Sequence, residues 1–339
     1  MKSRLSRILI FLLAFGLLWG GGAALLCGGN LCLHTPVNAQ SAPQGQDAAD
    51  VITGLAILGD STQDEYQADS ARGGEYVWQT YNWVELIAKY RDLNMGEWGV
   101  YGEPRRSGYA YNWARSGATS GEMISNGQLT GALRQVLAHK VSHALVQIGI
   151  NDFYFSGLGY EIYDGTISTE DLHAILDKTA RNIIVTAFAL QKLDGDHVIV
   201  AAVQDYVTLP IIPELKTTFT DEAGRARLQE AFTYINGRLK ELSQKWDIPY
   251  FDYNEAMLAA LTSRIDSDGY LVMGGERINL DARGNEPHFG MLDDQYAHPG
   301  TVISGLSANV WMAEMNKVFG SNLAPLSDEE ILQAAGLRQ

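Results

Sequence analysis

The sequence predicts an α/β protein, a three-layer α/β/α arrangement around a five-stranded parallel sheet. Short apolar runs at residues 55–58, 144–148 and 197–203 each stop at small or polar residues, as strands buried on both faces do. Longer stretches with helical periodicity separate them, at residues 129–140, 168–193 and 221–246. No linker-like composition interrupts this alternation, so residues 51–325 read as one domain.

Ahead of that domain, Lys2, Arg4 and Arg7 precede an apolar run, and Val37-Asn38-Ala39 offers small residues at a cleavage spacing. Residues 1–39 therefore read as an export signal, with a retained membrane anchor as the alternative. Residues 40–50 lack periodicity and read as a flexible lead. The first strand spans residues 53–59. An insert follows, with a helix over residues 81–92 that turns Trp83, Leu86, Ile87 and Tyr90 to one face, and with most of the tryptophans: Trp78, Trp83, Trp98 and Trp113. Such a cluster serves packing or stacks on a sugar or acyl chain.

A second strand is expected over residues 109–113, running into the small-residue stretch from Ala114 to Gly121. The third ends at Gly149-Ile150-Asn151-Asp152, the fourth spans residues 197–203, and the fifth is Pro249-Tyr250-Phe251-Asp252. Residues 264–292 break the rhythm with Gly and Asp clusters and read as a hairpin or irregular excursion. Within them, Asp266-Ser267-Asp268-Gly269 lacks the outer ligand positions of a calcium loop and reads as a surface turn. Pro299 is expected to open a helix that runs through Phe319. Residues 326–339 form a peripheral acidic helix.

The 339 residues carry a net charge of −15, and removal of residues 1–39 leaves 22 basic against 40 acidic residues. A nucleic-acid partner is excluded on that balance. Both cysteines, Cys27 and Cys32, lie in the signal, so the mature chain has no disulfide, thiol nucleophile or thiolate-bound metal. No cofactor or metal is expected, and the address is extracytoplasmic, secreted or periplasmic.

Three strand ends carry polar or small residues: Ser61 after the first, Gly117 after the second and Asn151 after the third. With strand order 2-1-3-4-5 these ends are neighbours at the topological switch point, where open α/β sheets bind ligands. A hydroxyl beside backbone N–H groups and a side-chain amide makes a nucleophile with an oxyanion hole. His298 precedes a proline, so it lies in a loop. His139, His143, His173 and His197 read as structural, and His288 is the rival base. Asp60 and Asp152 read as braces of their turns.

Gly59-Asp60-Ser61, Gly117, Gly149-Ile150-Asn151-Asp152 and His298-Pro299, taken in order, resemble the blocks of the SGNH, or GDSL, hydrolase superfamily. The resemblance covers nearly all of the mature chain and implies its flavodoxin-like five-stranded fold. It also implies a serine ester hydrolase in which Ser61 attacks and His298 is base and then acid. Backbone N–H groups of Ser61 and Gly117 and the Asn151 amide would hold the oxyanion. The family's acid stands three residues before the His, where this chain has Gln295. Asp294 is the preferred partner, with Asp293 or no carboxylate as alternatives. Thr62 replaces the family's Leu after the serine.

The expected substrate is an acyl ester of a small molecule or polysaccharide, with a short, acetyl-like acyl group. A lipase or thioesterase acting on longer chains, and a non-catalytic carbohydrate-binding relative, are the alternatives. Membrane contact is expected only if the N-terminal segment stays uncleaved.

Overall fold

β1 (Leu55–Gly59) is buried along its whole length. It leads through a long connection to α1 (Trp83–Arg91), which starts at a capping box between Asn82 and Glu85. The short β2 (Trp98–Val100) and β3 (Ser107–Tyr109) follow, then α2 (Ser120–Ser125) and α3 (Gln128–Leu137). β4 (His143–Gln147) runs into two short helices, α4 (Ile150–Phe153) and α5 (Leu158–Asp164), and then the long α6 (Thr169–Asp194). β5 (Val198–Ala201), α7 (Glu222–Trp246), β6 (Tyr250–Phe251) and α8 (Tyr253–Thr262) complete the regular alternation. β7 (Leu271–Met273), β8 (Glu276–Arg283) and β9 (Phe289–Met291) form a separate small sheet, and α9 (Thr301–Phe319) and α10 (Asp328–Ala334) close the chain. The computed structural model describes residues 51–339 except 69–70, 155–156, 195–196, 212–217 and 295–297. The expected signal and lead, and Gln295, lie outside the described residues. Among the described residues no helix is long and apolar enough to cross a membrane.

The main sheet is parallel, in the order β1-β4-β5-β6, with Ile57 opposite Leu145 and Val146 opposite Val200. Helices α3, α6 and α7 pack side by side over one face, and α1, α9 and α8 form the other layer. Trp83 of α1 stacks on Trp311 of α9 with ring centroids 5.0 Å apart. Complete burial of β1, β4 and β5 follows from having helices on both faces.

The expected second strand is the main departure. Ser107–Tyr109 pairs antiparallel with Trp98–Val100, outside the main sheet. Residues 111–115 do run parallel to β1: Ile57 N donates to Tyr111 O, Trp113 N to Ile57 O and Arg115 N to Gly59 O. Only the Ile57–Asn112 bridge is formed, so four strands and one bridge replace five strands. The cause is local. Asn112 folds its own carbonyl oxygen onto Ala114 N at 3.1 Å and its amide onto Gln63 O at 2.7 Å, holding the chain in a turn.

Two further expectations change. Pro299 is not helical, because Leu292 N donates to His298 O and Gly300 N to Gly290 O, which draws residues 298–300 into an antiparallel bridge with β9. The helix therefore starts at Thr301. Helix α10 is integral and not peripheral: Ile331 and Leu332 are fully buried, and Ile331 occupies the space that a side chain at Gly305 would need. Arg91 secures its approach by donating to Ala324 O and Pro325 O and pairing with Glu330.

Candidate active site

The turn after β1 is held by its own polar side chains. Asp60 accepts from Thr62 N and from the Thr62 hydroxyl, both at 3.3 Å, and Gln63 accepts from Asp60 N at 3.1 Å. Thr62 thus takes part in the turn. Burial pushes the Asp60 carboxyl up to about 7, against the lowering effect of the Thr62 bonds. A seam of buried glutamines fixes the strand ends relative to one another. Gln128 brackets Gly59 by accepting from its N–H and donating to its carbonyl. Gln63 donates to Gln147 at 2.8 Å, and Gln147 donates to Ala202 O at 3.1 Å, so the carboxyl ends of β1, β4 and β5 are cross-linked. Ser61, half-buried, stands at this braced corner.

Gly117 lies in the loop beyond the Asn112 bridge with φ of 80°, and no atom approaches its missing Cβ within 4 Å. Backbone conformation, not crowding, is what calls for glycine there. The loop is fastened on both sides. Ser116 N donates to Asp64, three residues beyond Ser61, at 2.7 Å, and Ser120 donates to Asp152 from both its N–H (2.8 Å) and its hydroxyl (2.6 Å). Asn151, in the first turn of α4, donates its amide to Ala118 O at 3.0 Å. Asp60 is thus a brace of its own turn, whereas Asp152 ties that of Asn151 to Ser120 and Thr179 on other segments. Gly117 and Asn151 are brought together, and both are tied to the Ser61 corner.

His298 is 2% exposed, and its Nδ1 lies 2.7 Å from Asp294 Oδ2. The other oxygen of Asp294 accepts from His298 N at 3.2 Å, so the four-residue spacing makes the carboxylate both a ring partner and a loop brace. Arg283 of β8 donates to Asp294 O at 2.9 Å. Burial holds the His298 ring below its ordinary value; the Asp294 bond opposes this and the Arg72 charge adds to it. For Asp294, burial works upward, but the His298 bond and the charges of His298 and Arg72 bring it down to about 2.

Sequence reasoning missed Arg72. Its Nη1 lies 2.7 Å from Asp294 Oδ2 and 2.9 Å from His298 Nδ1, while Nη2 donates to Ser116 Oγ at 3.1 Å. Its one signal in the sequence is solitude: no other Lys or Arg occurs between Ser61 and Lys89. Tyr66, from the same connection, turns its ring edge-on to His298, with centroids 6.2 Å apart.

No family model matches this sequence, and no curated protein matches it. Solved structures do resemble it in part. The acetylxylan esterase Axe2 from Geobacillus stearothermophilus is 15% identical with a TM-score of 0.40, over 79% of this chain and 94% of that one. A GDSL-like lipase from Parabacteroides merdae is 12% identical with a TM-score of 0.41, over 84% and 96%. Protein YxiM from Bacillus subtilis is 15% identical with a TM-score of 0.43, over 78% of this chain and 56% of that one.

The other histidines sit elsewhere. His288 is exposed and pairs with Glu276 at 3.3 Å, His143 and His197 lie against Phe319, and His173 stacks on Tyr234. The turn at Asp266 and Asp268 is occupied by Arg277, which pairs with both carboxylates. Of the insert tryptophans, Trp83 is core and Trp113 fits against Gly131, whereas Trp78 and Trp98 are exposed.

Proposed function

We propose that this chain is a serine ester hydrolase of the SGNH type that removes short acyl groups from hydroxylated substrates outside the cytoplasm. The observation that carries the reading is the pair of buried His298 and half-buried Asp294 at 2.7 Å, roped to the loops of Ser61 and Gly117 through Arg72, Ser116 and Asp64. Asp294 accepts a hydrogen bond from the Nδ1–H, which keeps that proton on Nδ1 and leaves the Nε2 lone pair as the base. His298 takes the Ser61 proton as Oγ bonds to the ester carbonyl carbon. The oxyanion is held by the N–H groups of Ser61 and Gly117 and the second N–H of the Asn151 amide. Collapse breaks the bond to the alcohol oxygen, which leaves with the proton from His298. Water, deprotonated by the same ring, then releases the acid from Ser61.

The cleft beside Gly117 supports a polar alcohol. It holds about 510 Å³ and is lined by Glu103, Arg115, Glu122, Asn126 and Gln128, a surface suited to sugar hydroxyls. The basic and apolar leader supports export. The test is hydrolysis of acetyl against octanoyl esters and of acetylated xylan by residues 40–339. Acetyl preference and its loss in Ser61→Ala are expected. Activity that survives the substitution refutes the nucleophile, and octanoyl preference refutes the acyl class.

A further inference from the structure

We infer that Arg72 is a positioning residue that sets which ring nitrogen of His298 carries the proton and couples the His298–Asp294 pair to the Gly117 loop. This rests on the hydrolase reading above. One guanidinium spans both halves of the site: Nη1 lies on Asp294 and His298, and Nη2 on Ser116, the residue before Gly117. Its side chain is 13% exposed, it lies 5.4 Å from the centre of the Tyr66 ring, and its Nε is buried without a partner among the described residues. A cation that leaves a buried donor unpaired is held by what its remaining nitrogens do.

The three short distances among Arg72 Nη1, Asp294 Oδ2 and His298 Nδ1 admit two proton arrangements. Nδ1 donates to Asp294 while Arg72 donates to the same carboxylate, or Nδ1 accepts from Arg72 and the ring proton moves to Nε2. Only the first leaves Nε2 free of a proton and able to receive one from Ser61. Ionised Asp294 is the stronger acceptor, and Arg72, by keeping it ionised, selects the first arrangement. With Arg72 positive, Asp294 negative and the ring neutral, the cluster carries no net charge, so the base stays neutral into mildly acidic solution. The charged and titratable groups facing the ring are Asp294 from its own loop, Arg72 and Tyr66 from the connection after β1, and Asp64 from the Ser61 turn. Arg283 of β8 holds Asp294 by its carbonyl.

The experiment compares wild type, Arg72→Gln and Arg72→Lys in the mature chain. It uses the pH dependence of kcat and KM on p-nitrophenyl acetate, ¹⁵N NMR titration of the His298 ring and thermal melting. Expected for Arg72→Gln is a kcat loss of about 10- to 100-fold with KM little changed. The acidic limb and the ring titration should move to higher pH, and Arg72→Lys should restore part of both. The ring titration needs no turnover, so it decides on Arg72 even if the wild type hydrolyses nothing, an outcome that defeats the hydrolase reading alone. An active wild type whose Arg72→Gln variant keeps the kcat, acidic limb and ring titration overturns the inference alone. So does an activity loss that follows melting temperature with the ring titration unmoved.

Discussion

Replacing Asp294 by asparagine keeps the size of the side chain and removes its charge, and the surroundings determine which way the amide turns. The oxygen facing His298 Nδ1 is also the one that receives Arg72 Nη1, both at 2.7 Å. Placing the NH₂ there would set it against a cation and two donors, so the amide oxygen keeps that position and the NH₂ is left facing the His298 N–H, where the bond to the backbone is lost. The working tautomer survives, and what is lost is attraction between the carboxylate and the imidazolium formed during the reaction. At 2.7 Å that attraction is about 1.5 kcal/mol in bulk water and about 6 kcal/mol at an effective dielectric of 20. Asp294 is 23% exposed in a mostly buried cluster, so a loss of about 3–4 kcal/mol, or roughly 10²–10³ in kcat, is expected. This is less than the roughly 10⁴ seen where the same change inverts the tautomer of a triad histidine. Steady-state kinetics on p-nitrophenyl acetate measure it, with Asp293→Asn as the control expected to match wild type. A loss under about threefold, or an equal loss in the control, refutes the assignment of Asp294.

Asn151→Ala should lower kcat by about 10²–10³ with little change in KM, because it deletes the proposed oxyanion donor, and the melting temperature should fall slightly as Ala118 O loses its partner. Gly131→Ala should destabilise the fold by about 1–3 kcal/mol in denaturant titration, since the new Cβ would meet the Trp113 ring at 2.2 Å; unchanged stability would show that the ring can move. Asp60 has a folded value of about 7 against an ordinary 3.8, so the folded state binds the extra proton between these values. Its contribution to stability is present below about pH 4 and is lost as pH rises through 7, so wild type should lose stability relative to Asp60→Asn across that window, as read from urea midpoints. A constant difference between the two would show that the carboxyl titrates normally.

The parts of the site that lie at strand ends were legible because apolar runs reveal where a buried strand stops. Ser61 and Asn151 each follow such a run, whereas Gly117 stands in a small-residue stretch read as close backbone approach and is called for instead by its φ of 80°. The extent of the second strand was not legible. Asn112 chooses a side-chain turn over the ladder, and a four-residue alternation does not record that choice. Pro299 reads as a helix start from its local preference, but pairing with β9 overrides it. Arg72 was beyond reach for another reason: its carboxylate and imidazole partners are 222 and 226 residues away, and no periodicity links a loop cation to a distant loop carboxylate. Asp294 was nameable because its spacing to His298 is local.

The bridge between Met291 and Pro299 gives Ser61 and His298, the proposed nucleophile and base, different fates on heating. Ser61 hangs from the fully buried central sheet, whereas His298 is stitched to β9, an edge strand of a small sheet. Both segments are buried, and what differs is the ladder: a short one at the edge of a small sheet opens before a fully paired central one. Catalysis would then fade before the bulk of the chain unfolds, and this early inactivation would be reversible as long as the central layers hold. A disulfide or a better-packed residue between β9 and the start of α9 would extend the working temperature range while leaving the global melting point nearly where it was.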